Sequence, residues 1–257
     1  MEKAILAVSF GTAYPETRRK TIQAIEADLA AAFPDRRLYA AWTSGMILRK
    51  LKARGEEAPM SLEEALAAME RDGVRDVLVQ PTFFLAGYEM RLTRETLEAW
   101  KDRFSRVAVG AVLVDGPEDL EALAKALEAH FACLGEDTVL ALMGHGSEEA
   151  DFDPYTGLTA LFRKDGRENF AAGTVEFRPG IEPVLELVQA RKPKKAVLAP
   201  LMIVAGDHAN NDMAGDAPDS WKNRIAALGV ETECLLRGLG EYPEVRALFT
   251  AHARAAE

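Results

Sequence analysis

The residues Val197-Leu-Ala-Pro-Leu-Met-Ile-Val-Ala-Gly-Asp-His208 form an apolar stretch that runs directly into a polar loop. The loop continues as Ala209-Asn-Asn-Asp-Met-Ala-Gly-Asp216, so amide and carboxylate side chains surround the histidine. In open α/β sheets, ligands bind just beyond the carboxyl ends of the strands. The pattern therefore predicts a buried parallel strand whose following loop is functional, with His208 as a candidate site residue.

Strand-like and helix-like periods alternate along the rest of the chain. Apolar or β-branched runs predict strands at 4–9, 37–43, 74–80 and 107–114, and then near 138–143, 171–177, 195–203 and 230–236. Helical periodicity lies between them, and Ser61 and Glu64 form a capping-box pattern ahead of one predicted helix. This alternation is typical of the α/β class, in which helices cover both faces of parallel sheets.

The two halves of the sequence also resemble each other. Val77-Leu-Val-Gln-Pro81 aligns with Val197-Leu-Ala-Pro200, and each is followed by an Ala-Gly pair, so that Glu89 corresponds to His208. Val8-Ser-Phe-Gly-Thr12 aligns in the same way with Met143-Gly-His-Gly-Ser147. The matches occur in the same order, which predicts two similar Rossmann-like lobes, an N-terminal lobe at 1–134 and a C-terminal lobe at 135–257.

Three candidate metal ligands lie at predicted strand ends in the second half. They are His145, Glu176 and His208. Two imidazoles and one carboxylate form a three-ligand set that suits a divalent transition metal and leaves coordination positions open. Each histidine alone has the alternative of being a hydrogen-bonded structural residue, and no short motif such as His-Glu-x-x-His decides between the two.

Composition excludes several classes of protein. The 257 residues carry a formal net charge of −10, which argues against binding to nucleic acid or to a membrane surface. The N-terminal apolar run is too short for a signal peptide, and Cys133 and Cys234 form no paired motif, so we expect a cytoplasmic protein with reduced thiols.

No phosphate-binding glycine motif supports nucleotide chemistry, and we expect no nucleotide cofactor. Four residues after the first strand are candidates for substrate binding, because a loop that opens a helix near Pro15 can bind an anion. The alternative is a tight turn between strand and helix that needs its glycine. The four residues are Ser9, Phe10, Gly11 and Thr12.

Several of these segments together resemble the CbiK family, the anaerobic sirohydrochlorin cobalt chelatases, which are class II chelatases related to ferrochelatase. The resemblance runs from residue 4 to residue 249, and its most specific block is Pro200–Lys222. The other segments are Val8–Thr12, Thr43–Ile47, Met143–Gly146 and Gly238–Glu241.

The resemblance implies a two-lobed chelatase fold with a cleft between the lobes, and a metal bound by His145, Glu176 and His208. It further implies ATP-independent insertion of Co2+ into sirohydrochlorin, a tetrapyrrole with many carboxylates. Pyrrole protons must leave the ring, so His145 and Glu89 are candidate catalytic proton acceptors. Fe2+ insertion into the same ring and a carrier that binds without turnover are the alternatives. A homo-oligomer is compatible with the sequence.

Overall fold

The computed structural model of this chain describes residues 2–148 and 153–257, and within them strands and helices alternate. The strands are β1 (Glu2–Ser9), β2 (Arg37–Trp42), β3 (Met60–Ser61), β4 (Val74–Pro81), β5 (Arg106–Val109), β6 (Thr138–Gly144), β7 (Phe170–Thr174), β8 (Lys195–Pro200) and β9 (Glu231–Cys234). The helices are α1 (Pro15–Lys20), α2 (Ile22–Ala32), α3 (Gly45–Ala53), α4 (Leu62–Arg71), α5 (Tyr88–Trp100), α6 (Pro117–His130), α7 (Pro154–Lys164), α8 (Glu182–Arg191), α9 (Trp221–Ala226) and α10 (Pro243–Ala256).

The strands form two separate parallel sheets, which confirms the predicted α/β class. The first sheet has the order β3-β2-β1-β4-β5, and the second has the order β7-β6-β8-β9. The central strands β1 and β6 are almost wholly buried because helices cover both sheet faces. No helix within the described residues is long and apolar enough to cross a membrane.

Several element boundaries differ from the sequence prediction. β5 ends at Val109 instead of Val114, and beyond it the Ala111 carbonyl accepts a hydrogen bond from the Gln80 side chain (2.8 Å). β7 ends at Thr174, so Glu176 lies in the bend beyond it. The two-residue strand β3 was not predicted. The Ser61 capping box is present at the start of α4, as predicted.

Contacts divide the chain into a first unit, Met1–Asp115 with Pro243–Glu257, and a second unit, Gly116–Tyr242. These differ from the predicted lobes 1–134 and 135–257 by one helix at each boundary. Helix α6 packs on α7, where a Cβ at Gly157 would lie 2.8 Å from the Leu120 side chain. Helix α10 packs on α2, and Arg246 pairs with Asp28 at 2.6 Å.

The strand registers of the two units repeat each other. Val8 of β1 pairs with Pro81 of β4, and Met143 of β6 pairs with Pro200 of β8. Beyond these pairs, Thr82 N donates to the Val8 carbonyl (2.8 Å), and Leu201 N donates to the Met143 carbonyl (2.7 Å). The aligned prolines therefore occupy matching places in their sheets.

The backbone just beyond the central strands repeats as well. Ser44 N donates to the Phe10 carbonyl (3.1 Å), and Glu176 N donates to the His145 carbonyl (3.2 Å). The next residue after each acceptor is a glycine with positive φ, +106° at Gly11 and +93° at Gly146. Phe10 and Ser44 therefore stand in the first unit where His145 and Glu176 stand in the second.

The third pair of equivalent positions follows from the strands β4 and β8. Glu89 lies eight residues beyond Pro81, and His208 lies eight residues beyond Pro200 (81 to 89 and 200 to 208). Since the two prolines are equivalent in register, Glu89 corresponds to His208, as the sequence alignment predicts.

Candidate metal centre

Three side chains of the second unit converge at the carboxyl ends of adjacent strands. His145 follows the central strand β6, and Glu176 and His208 follow its two neighbours β7 and β8. One ligand atom from each lies within 4.8 Å of the others. Parallel strands end at the same edge of a sheet, so the strand order itself brings these three residues together. No other group of this kind occurs within residues 2–148 and 153–257.

His145 is held by the turn that follows β6. Its Nδ1 lies 3.0 Å from the Gly146 carbonyl oxygen, which can only accept, so Nδ1 carries the proton and Nε2 keeps the lone pair for a metal. The Gly146 N–H donates in turn to the Tyr155 hydroxyl (3.1 Å). A Cβ at Gly146 would lie 2.7 Å from Phe177 Cβ, so the turn requires glycine for space as well as for its positive φ.

Glu176 lies in a closed turn beyond β7. Thr174 is buried, donates its hydroxyl hydrogen to the Phe177 carbonyl and accepts from Gly180 N (3.1 Å). Together with the bond from Glu176 N to the His145 carbonyl, these bonds fix the backbone on both sides of the carboxylate. The Glu176 side chain itself is exposed and therefore accessible to an incoming ion.

His208 begins a turn of π-helix at Ala209–Met213. Its Nδ1 lies 2.8 Å from Asp212 Oδ2, and its Nε2 lies 3.8 Å from Glu176 Oε1. The Asn210 side chain donates to the Gly206 carbonyl (2.7 Å), which ties the start of the loop to itself. His208 thus directs Nε2 toward the other two candidate ligands.

The three ligand atoms lie close together, but they are farther apart than the ligands of a bound metal ion. Tetrahedral ligands about 2.1 Å from an ion lie about 3.4 Å from one another, so the side chains must close by about 1 Å to hold a metal. Rotation of the exposed Glu176 side chain can supply this movement. Two neutral nitrogen donors and one carboxylate suit Co2+ or Fe2+ and leave coordination positions free for exchange.

The candidate substrate-binding turn of the first unit is internally bonded. Ser9 is buried, and its hydroxyl lies 2.8 Å from the Thr82 hydroxyl. Thr12 is also buried and accepts from Tyr14 N (3.3 Å), and a Cβ at Gly11 would lie 2.5 Å from Trp42 Cε3. These contacts favour the alternative of a tight strand-to-helix turn for Ser9, Gly11 and Thr12. The Phe10 side chain is different, because 44% of it is exposed.

Glu89 occupies the first turn of α5, where a carboxylate is favoured by the helix dipole. Its Oε2 atom is buried and has no hydrogen-bond partner among the residues described. Glu89 therefore stabilises the start of α5 and also has a buried carboxylate oxygen that forms no hydrogen bond within the described residues.

Large exposed apolar side chains follow strands of the first sheet, and periodicity in the sequence did not single out Met46 or Tyr88 as site residues. Met46 follows β2 and Tyr88 follows β4, so both lie with Phe10 at the carboxyl ends of strands in the first sheet. Their exposures are 67% for Met46 and 53% for Tyr88. The sequence does contain a signal for them, because each is a large apolar residue in the first turn of the helix that comes next after a strand.

Comparison with known proteins identifies the family. The family model described as "Cobalt chelatase (CbiK)" matches residues 3–257. The chain belongs to the CbiK family. A sirohydrochlorin cobaltochelatase of Salmonella typhimurium is 38% identical to it, across 100% of this chain and 97% of that protein. The sirohydrochlorin cobaltochelatase CbiKC of Nitratidesulfovibrio vulgaris is 31% identical, across 99% of this chain and 90% of that protein.

Solved structures agree with this membership at the level of the fold. SirB from Bacillus subtilis, solved with Fe3+, superimposes with a TM-score of 0.66 at 15% identity and covers 100% of this chain and 96% of its own. CbiX, described as the terminal enzyme of siroheme biosynthesis in denitrifying bacteria, gives 0.57 at 20% identity, with 99% and 100% coverage. The predicted two-lobed chelatase fold is therefore confirmed for this CbiK-family chain.

Proposed function

We propose that this chain is a class II chelatase that inserts Co2+ into sirohydrochlorin without a nucleotide. The observation that carries the proposal is the convergence of His145, Glu176 and His208 at one sheet edge. The names of the two similar cobaltochelatases support the choice of cobalt and of sirohydrochlorin. The free cysteines Cys133 and Cys234 are consistent with the reducing cytoplasm that we propose as its location.

The ligand set explains how an ion can be both captured and released. Imidazole and carboxylate ligands hold Co2+ less tightly than thiolates would, and three ligands leave positions at which ring nitrogens can enter. Insertion forms four nitrogen–cobalt bonds and expels two pyrrole protons, so the reaction needs proton acceptors and no redox partner. We propose that each ring nitrogen that binds the ion displaces one protein ligand or one water.

We propose His145 and Glu89 as the proton acceptors. The Nε2 lone pair of His145 becomes free as the metal leaves it, so it can take one proton from the ring. Glu89 is proposed because one of its oxygens is buried and unpartnered within the described residues, and because it is the first-unit equivalent of His208. General-base catalysis of this kind contributes about 10²–10⁴ in rate.

The exposed apolar residues of the first unit offer a surface for the flat macrocycle. Phe10, Met46 and Tyr88 present aromatic and thioether groups that pack well on a π-system. The Arg91 guanidinium lies 5.0 Å from the Tyr88 ring centroid, where it can also meet a ring carboxylate. We propose that the Ser9–Thr12 turn binds substrate through Phe10, while its other residues shape the turn.

The direct test is to incubate the purified protein with sirohydrochlorin and either Co2+ or Fe2+ and to follow the visible spectrum. We expect faster insertion of Co2+, and we expect Glu176→Gln to reduce it strongly. Glu186→Gln, the same change on the exposed face of α8, is the matched control and should retain the wild-type rate. Absence of insertion by the wild-type protein, or equal rates for the two variants, would refute the proposal.

Glu89→Gln separates proton transfer from metal binding. We expect slower insertion with nearly unchanged Co2+ affinity, because Glu89 is not among the three ligands. A wild-type rate for this variant at every pH would leave Glu89 with only its role at the start of α5.

A further inference from the structure

A carboxylate stands directly behind one of the two histidines of the metal centre. Asp212 Oδ2 lies 2.8 Å from His208 Nδ1, on the side of the ring opposite Nε2. Among the residues that the structure describes, the corresponding atom of His145 meets a backbone carbonyl, that of Gly146, at 3.0 Å. The two imidazoles of one site are therefore supported by groups of different charge.

Helical spacing places Asp212 beside His208, because the two residues are four apart at the start of a π-helical turn. Ala214 N donates to the Ala209 carbonyl (3.2 Å), five residues back, so the turn is one residue wider than an α-helical turn. Ala209 and Met213 are buried and anchor one side of the turn, which leaves Asp212 on the side of His208. Single turns of π-helix are frequent at functional sites, and this one aims a carboxylate at a candidate ligand.

The contact differs from an ordinary surface ion pair in what it controls. A carboxylate accepts a hydrogen bond from Nδ1–H, so it favours the tautomer in which Nε2 is the lone-pair nitrogen. Nε2 is the atom that lies 3.8 Å from Glu176 Oε1. The same contact fixes the orientation of the ring and strengthens the imidazole as an electron-pair donor.

We propose that Asp212 is a positioning residue of the metal centre, which holds His208 in the Nδ1–H tautomer with Nε2 directed at the ion. This inference rests on the proposed function, since it assigns Asp212 a role at the same site. It makes His208 the more strongly supported of the two histidine ligands, while His145, supported by a carbonyl, is the one freer to release the ion. Asp212 itself stays outside the coordination sphere.

The test combines metal binding with direct observation of the tautomer. Co2+ affinity of the metal-free protein is measured by titration for the wild type, Asp212→Asn, Asp212→Glu and Asp216→Asn. Asp216 is the matched control, because it lies on the same loop, pairs with Lys222 at 2.9 Å and loses the same charge. In parallel, ¹⁵N NMR of the imidazoles in metal-free protein reports which nitrogen of His208 carries the proton.

We expect Asp212→Asn to weaken Co2+ binding about 10- to 100-fold, as is typical for groups that orient metal-bound histidines. Its amide can turn and donate to Nδ1, so the NMR signals should shift toward the Nε2–H tautomer. Asp212→Glu should restore part of the affinity and the Nδ1–H signal. Asp216→Asn should bind Co2+ like the wild type.

Equal Co2+ affinity for Asp212→Asn and the wild type, or an unchanged His208 tautomer in that variant, would overturn the inference. Equal losses in Asp212→Asn and Asp216→Asn would also overturn it, since they would mean that only the charge of the loop matters. Failure of the proposed function looks different, because a wild-type protein without Co2+ insertion would refute the function while the tautomer measurement still decides the role of Asp212.

Discussion

Tyr155→Phe removes a single oxygen atom and tests how the turn carrying His145 is held. Tyr155 lies on α7, is 3% exposed, and its hydroxyl accepts from the Gly146 N–H at 3.1 Å. Its ring also lies against β6, where a Cβ at Gly144 would come within 2.2 Å of Tyr155 Cε1. Phenylalanine keeps this packing, so the substitution isolates the hydroxyl.

The magnitude at neutral pH follows from the hydrogen bond. A typical bond contributes about 0.5–1.5 kcal/mol, and a buried donor left without a partner costs about 1–3 kcal/mol. Gly146 is partly exposed, so water can replace some of the lost bond. We therefore expect the free energy of unfolding to fall by about 1 kcal/mol. A looser turn should also weaken Co2+ binding, by no more than about 10-fold, because Tyr155 acts through Gly146 and not on the ligand itself.

At alkaline pH we expect the phenylalanine variant to become more stable than the wild type. Burial raises the pKa of Tyr155 to about 12, from an ordinary value of about 10. The folded state thus resists ionisation of the phenol, so the corresponding stability is intact below about pH 10 and is lost as pH rises toward about 12. At about pH 11 the wild type has lost about 1.4 kcal/mol of stability because its unfolded state ionises Tyr155. The phenylalanine variant has no phenol there and does not suffer this loss, so the two stabilities should cross near that pH.

Urea unfolding followed by far-UV circular dichroism, at about pH 8 and at several values up to about pH 11, measures both effects. Tyr39 and Tyr242 also have raised pKa values of about 12, chiefly from burial, but they occur in both proteins and cancel in the comparison. A stability difference that is independent of pH would refute the argument from burial of the phenol. An unchanged stability at about pH 8 would refute the role of its hydrogen bond.

Three further outcomes are expected. Gly146→Ala should cost more than about 2 kcal/mol in urea unfolding and weaken Co2+ binding, whereas Gly166→Ala should cost about 1 kcal/mol and leave binding intact, because its Cβ meets nothing within 4 Å. Co2+ affinity, measured by calorimetric titration, should fall on acidification because protons compete with the metal for imidazole; a constant affinity would exclude histidine ligands. Finally, the shared backbone should allow a Co2+ site to be built in the first unit of a Glu176→Gln protein, detected as regained binding of one equivalent, with the substitutions Phe10→His, Ser44→Glu and Glu89→His.

The sequence predicted that the three candidate ligands would lie together because this information is local to strand ends. Apolar strands that end on His145 and His208 need only a parallel sheet to bring their ligands to one edge, and the alternation of elements predicted that sheet. Glu176 was found for the same reason, although it lies two residues past the end of β7 instead of within the strand. Val175 and Glu176 belong instead to a turn that the Thr174 side chain closes by hydrogen bonds. Hydrophobic periodicity in the sequence does not reveal such a turn.

Other features depend on contacts that no local pattern encodes. The apolar face of α10, with Val245 and Phe249 buried, shows that the helix covers a core but not which sheet it covers, so its place in the first unit was missed. Asp212 and His208 are four residues apart, so any helical turn makes them neighbours, but the sequence does not show that Nδ1 and not Nε2 of His208 faces the carboxylate.

The paired glycines Gly11 and Gly146 change how variation among relatives should be interpreted. Both have positive φ, and at both a side chain would collide with an aromatic residue, Trp42 in one unit and Phe177 in the other. Only one of the two turns carries a candidate ligand. If relatives always have glycine at either position, the reason is thus the shape of the turn, which both units share, and not selection for chelation. Evolutionary pressure on the chemistry should instead be sought one residue earlier, where the two copies have diverged to phenylalanine and histidine.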